Sequence, residues 1–111
     1  MANFFKRKLS SNISTSFANV GGYTVPANNV ATVIGLSVSN TANAGISVDI
    51  VLNNTTSLIH IVKSAPIPVG GSLVVVGGDQ KIVIETNDAI QVKSDTATSA
   101  DVIMSILETT L

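Results

Sequence analysis

Catalysis by a hydroxyl nucleophile needs a base beside it. The chain has one histidine, His60, so a Ser-His-Asp constellation would have to be built around that residue. It stands between Ile59 and Ile61 in a strand-like run, and no G-x-S-x-G elbow occurs anywhere in the sequence. A side chain on a strand face or at a subunit contact is the reading the sequence favours. Asp79, Asp88, Asp95 and Asp101 could give carboxylate oxygens to a hard cation such as calcium. No D-x-D-x-D-G loop is present, however, and aspartate is itself a good turn residue, so turn roles are expected. The pairs Gly21-Gly22, Gly70-Gly71 and Gly77-Gly78 are not part of a G-x-x-x-x-G-K-[ST] loop, Lys81 is not followed by Ser or Thr, and no helix follows to receive a phosphate. Glu85 and Asp88 are the closest carboxylate pair in sequence and straddle a turn. The only aromatic residues are Phe4, Phe5, Phe17 and Tyr23, too few for a sugar or single-strand stacking platform. No catalytic, cofactor-binding or metal-ligating residue is expected, and no enzyme.

Charge singles out one segment. Lys6, Arg7 and Lys8 hold half of the six basic residues, leaving three basic against seven acidic residues from Leu9 to Leu111, a net of −4. The N-terminus therefore reads as a basic arm on an acidic body, with Phe4, Phe5 and Leu9 as apolar anchors. Three charges give little affinity for DNA, because phosphate binding scales with the number of phosphates neutralised. An acidic protein groove fits the arm better than nucleic acid, and a solvated tail or a short first strand is the plain alternative. Phe4, Phe5, Lys6, Arg7 and Lys8 are the candidate assembly contact. No specific nucleic-acid partner is expected.

The elements that must position such residues are strands. At 111 residues the chain is the size of one domain and has no cysteine, which excludes disulfides, Cys-based zinc sites and thiol nucleophiles. Hydrophobic residues make up 45% of it and charged residues only 12%, against about a quarter charged in a typical domain. Either the surface is a neutral Ser/Thr/Asn β surface, or part of the apolar excess lies in permanent subunit interfaces; the second reading is preferred, and with it a homo-oligomer. Residues 1–20 lack the continuous apolar region of a secretory leader. Every apolar run is broken within about ten residues, half of the roughly twenty a membrane helix needs, so no membrane partner is expected.

The stretch 65–94 organises the chain. It predicts strands over Leu73–Val76, Lys81–Glu85 and Ala89–Ser94, with turns at Gly77–Asp79 and Thr86–Asp88, as an antiparallel meander. Earlier, Ile13–Phe17 predicts an edge strand and Tyr23–Pro26 a short extended piece. Val30–Asn40 alternates with a period of two, placing Thr32, Ile34, Leu36 and Val38 toward the core. Ile46–Asn53 repeats the pattern with Ile46, Val48, Ile50 and Leu52 inward, and the two are expected to pair. Ser57–Lys63 is apolar on both faces, as a strand covered on both sides would be. Pro66 and Pro68 argue against regular pairing just after it. Asp101–Glu108 closes the chain with Val102, Met104 and Ile106 on one side. The expectation is a single all-β sandwich of seven to nine strands over residues 13–111, jelly-roll or immunoglobulin-like, preceded by an extended N-terminal arm over residues 1–12.

The phrases YTVPANNVATVIGLSVSN, VDIVL, KSAPIPVGGSLVVVGGDQKIVIETNDAIQVKS and SADVIMSILE resemble small virion structural proteins of tailed bacteriophages, notably of marine and cyanobacterial hosts. The similarity runs from about Lys6 to Glu108 and involves no catalytic residue. It implies a non-enzymatic β-sandwich carried on the virion, made in the host cytoplasm, with other virion proteins as partners. That would be an accessory subunit on the capsid (decoration or cement) or at the neck or tail. The alternative is a fibre-like adhesin domain that binds a host-surface glycan or protein, against which the scarcity of Trp and Tyr argues.

Overall fold

Strands with one apolar face must bury it, and the economical way is to pair into sheets that stack. The computed structural model describes residues 2–111 and contains nine strands. They are β1 (Ala2–Ser10), β2 (Ala18–Asn19), β3 (Asn29–Asn40), β4 (Ile46–Asn53), β5 (Leu58–Ile67), β6 (Ser72–Val76), β7 (Ile82–Ile84), β8 (Ala89–Ser94) and β9 (Ala100–Thr110). A 3₁₀ turn covers Val20–Gly22.

The pairings define the topology. β1 pairs with β9, β2 with β8, β3 with β6 and β4 with β5, all antiparallel. Further pairing of β3 with β9 and of β4 with β8 completes two sheets. Sheet I has the order β1-β9-β3-β6, with β7 also on β3, and sheet II the order β2-β8-β4-β5. First strand on last, second on next to last and so inward is an antiparallel strip rolled on itself: the fold is a jelly roll, with β7 as an addition. Between the sheets lie Val33, Leu36, Val38, Ile50, Ile90, Val92, Met104 and Ile106, all buried.

Several expectations are corrected by this topology. The predicted meander does not form: β6 and β7 lie on β3 in sheet I, while β8 lies in sheet II between β2 and β4. Local sequence gives strands and turns, but rolling the strip sends β8 to the sheet opposite β7, and β4 to the sheet opposite β3. For the same reason β3 and β4 face each other across the core instead of pairing. Residues Ile13 to Phe17 form no strand; they cross between the sheets. The Ile13 N–H donates to the Ala100 carbonyl at 2.9 Å, and the Ser94 N–H to the Ser14 carbonyl at 2.9 Å.

The inward phase of β3 changes midway. Ala31 and Val33 are buried, then Leu36 and Val38, whereas Thr32 and Ile34 are only half-buried. The cause is a β-bulge, because Val33 stands opposite Ile106 and Gly35 opposite Ser105, leaving Ile34 without a partner. Bulges also explain β5, an edge strand with much of its length exposed. Val48 opposes Ala65 and Ile50 opposes Val62, so three steps on β5 match two on β4; a second irregularity follows at Val51. An apolar residue thus reaches both faces because the alternation slips, and Leu58 and Ile59 are left exposed. Pro66 does pair, opposite Ser47, as proline can on an edge.

The N-terminus also differs from the expected extended arm. Ala2–Ser10 runs along β9 in register from Ala2 opposite Thr110 to Ser10 opposite Val102, as the edge strand of sheet I.

Candidate functional site

Residues directly opposite in an antiparallel pair share a face, so the register sorts the five candidate residues of β1. Phe4, Lys6 and Lys8 oppose Glu108, Ile106 and Met104, whose side chains point into the sandwich. Phe5, Arg7 and Leu9 oppose Leu107, Ser105 and Ile103 on the outer face. The basic cluster is thereby split: only Arg7 of its three cations stands on the outer face.

The inward set holds the strand to the body. Lys6 Nζ donates to Glu108 Oε1 at 2.9 Å, and the Tyr23 hydroxyl donates to Glu108 Oε2 at 2.6 Å. Glu108 itself is 5% exposed. The Tyr23 hydroxyl bond, then the Lys6 bond, hold its carboxyl below the usual carboxylate range against the opposing effect of burial. Burial, reinforced by the hydrogen bond to and charge of Glu108, drives the Tyr23 phenol well above its ordinary value. Lys8 Nζ lies 5.0 Å from the centre of the Tyr23 ring, a cation–π distance. Gly21 lets the 3₁₀ turn close on this cluster: it has φ 61°, and a Cβ there would lie 2.8 Å from the Lys8 Cβ.

The outward set continues into two rows across sheet I, each apolar but for one hydroxyl residue. Leu9, Ile103, Ser37 and Val74 are successive cross-strand neighbours, as are Phe5, Leu107, Thr32 and Val83. Between them runs Arg7, Ser105 and Gly35. Phe5, Leu9, Ile103, Val74 and Val83 are all exposed, and nothing among the described residues covers this face.

The remaining candidates take structural places. His60 Nε2 is 3.6 Å from Asp49 Oδ2, and Phe17 meets the imidazole edge-on at 6.5 Å between ring centres. Asp49 Oδ1 accepts the Ser64 N–H at 2.8 Å, which fastens the bulge of β5. Beside it is a polar hollow of about 310 Å³ lined in part by Ser47, Asp49, Ser64, Lys93 and Asp95. The turn aspartates are spread over the molecule: Asp88 Oδ2 accepts the Glu85 N–H at 2.9 Å, Asp95 Oδ1 the Ser47 N–H at 3.1 Å and Asp101 Oδ1 the Asn12 N–H at 3.2 Å. Among the described residues no group of three or more His, Asp or Glu side chains could hold a metal ion. Among the described residues no helix is long and apolar enough to cross a membrane.

Sequence reasoning missed Tyr23 and Glu108. A signal was present: Glu108 continues the inward phase Val102, Met104, Ile106, and a carboxylate on an apolar phase requires buried partners.

The molecule is thus a small antiparallel jelly roll with an uncovered apolar sheet face. Solved structures with this fold include a chain of the acid-stable capsid of Helicobacter pylori bacteriophage KHP30, with TM-score 0.60 and 10% identity over 100% of this chain and 90% of that one. Another is a chain from the disulfide-linked pili of Bacillus endospore appendages, with TM-score 0.55 and 12% identity over 98% of this chain and 88% of the other. No family model matches the sequence, and no curated protein matches it.

Proposed function

We propose that the protein is a non-enzymatic structural subunit of a tailed-phage virion, an accessory subunit of the capsid or of the neck or tail. The observation that carries this reading is the outer face of sheet I, where Phe5, Leu9, Ile103, Val74 and Val83 are exposed together on a chain poor in charge. A face of that kind belongs against another protein. Likeness in fold to a phage capsid chain and to a pilus chain, over nearly the whole length of each, supports an assembly role. The phage neighbour is a Helicobacter phage, and a marine or cyanobacterial affiliation rests on the sequence phrases alone.

Within the proposed assembly contact, Phe5 and Arg7 meet the partner, while Phe4, Lys6 and Lys8 hold β1 in place. Quantitative mass spectrometry of purified particles, beside a binding assay of the recombinant protein on host cells, tests the reading. A fixed copy number per particle without saturable cell binding is expected. Absence from particles, or saturable binding to a host-surface glycan or protein, would overturn it in favour of an adhesin.

A further inference from the structure

We propose that copies of this chain associate head to tail through sheet I, the β1 edge of one copy pairing antiparallel with the β6–β7 edge of the next. The inference rests on the structural-subunit reading above and deepens it by naming the partner and the register.

Both edges of sheet I are open. Among the described residues β1 pairs only with β9, and β6 and β7 only with β3, so each side presents a row of unpaired backbone groups. Strand directions alternate across the sheet, β1 against β9, β9 against β3, β3 against β6 and β7. β1 therefore runs opposite to β6 and β7. A second copy set beside the first in the same orientation brings its β1 antiparallel to that edge, and the sheet continues.

The side chains agree in register. Leu9 and Val74 end the same cross-strand row, and Phe5 and Val83 end the other. Continuing the sheet sets Leu9 of one copy beside Val74 of its neighbour, and Phe5 beside Val83. These four are 50%, 67%, 78% and 61% exposed in the single chain. The middle row brings Arg7 to the gap between β6 and β7, which is the turn that carries Asp79. Residues Gly77 to Asp88 hold Asp79, Glu85 and Asp88 against Lys81 alone, complementary to the outward Arg7.

Other pairings are disfavoured by the same charges. Two β1 strands paired about a two-fold axis at Arg7 would set Arg7 against its own copy and Lys6 against the other copy's Lys8. The β5 edge carries His60, Lys63 and Pro66 and is bulged twice, a blunted edge of the wrong sign. A same-orientation contact is heterologous, so it builds a ring or a filament instead of a two-fold dimer.

Sedimentation velocity on a mixture tests it. One variant blocks the β1 edge, Phe5→Lys with Leu9→Lys; the other blocks the opposite edge, Val74→Lys with Val83→Lys, so that the two blocked edges repel each other in the mixture. All four positions are exposed or on the outer face, and circular dichroism checks that each variant is folded. Wild type should form species larger than a dimer as concentration rises. Each variant alone should be a monomer, while the equimolar mixture should form a heterodimer and stop there, because only one competent seam remains. Should either double variant unfold, Arg7→Gln alone should weaken association about threefold. A monomeric wild type, self-association of either folded double variant, or an unchanged Arg7→Gln would overturn the proposal. A monomer found at fixed copy number on particles would overturn the self-pairing and leave the virion-subunit reading standing.

Discussion

Tyr23 and Glu108 are far apart in the chain and meet at a hydroxyl–carboxylate bond that also receives Lys6. The three groups are unequal. Tyr23 is buried, whereas the Lys6 side chain is 41% exposed, so water can replace much of what Lys6 gives. Tyr23→Phe should cost about 2 kcal/mol, since it leaves a buried carboxylate oxygen without its donor. Lys6→Ala should cost about 1 kcal/mol or less. Urea unfolding of both variants checks the order. The pH dependence follows from the direction of the Glu108 shift. Its folded pKa lies below the unfolded one, so its stabilisation is complete above the ordinary carboxylate range and is lost as pH falls through the folded value. Glu108→Gln should flatten the acid limb of a stability–pH curve relative to wild type, and an unchanged limb would count against the cluster.

At the scale of the element, the bulge in β3 decides which side chains matter. Simple alternation puts Ile34 and Leu36 on one face, yet Leu36 is 2% exposed and Ile34 only half-buried. Leu36→Ala should cost about 2–5 kcal/mol and Ile34→Ala under about 1 kcal/mol. Equal costs from thermal melts would refute the bulge. The same contrast explains what the sequence reveals. Ala89–Ser94 was legible to the residue, and Ile46, Val48, Ile50, Val102, Met104 and Ile106 were legible as core, because a period of two survives wherever pairing is regular. Bulges erase it in β3 and β5. Strand order was illegible for a different reason: β1–β9 and β2–β8 join residues at opposite ends of the chain, which no local pattern encodes. The candidate site was half legible. Its composition marked residues 4–8, but which of them face outward depends on the register with β9.

On the scale of the whole molecule, removing the N-terminus is not a neutral operation. A protein lacking residues 1–10 would lose β1, expose the β9 edge and leave Glu108 without Lys6. It should melt at lower temperature than full-length protein, by calorimetry, whatever its assembly state. Point changes on the outer face are therefore the sound probes of assembly.

The position of β9 has a consequence for how the protein is made. This strand lies between β1 and β3, so the middle of sheet I is supplied by the last of the nine strands to be synthesised. Translation from β1 to β9 takes on the order of ten seconds, and through that time β1 and β3 have no mutual partner to close upon. A nascent chain halted before Ala100 should remain open to protease, and the emergence of β9 becomes the event that commits the fold. A cell that makes many copies at once would hold many unfinished sheets with bare apolar edges, and would need to finish each chain faster than neighbouring ones can find it.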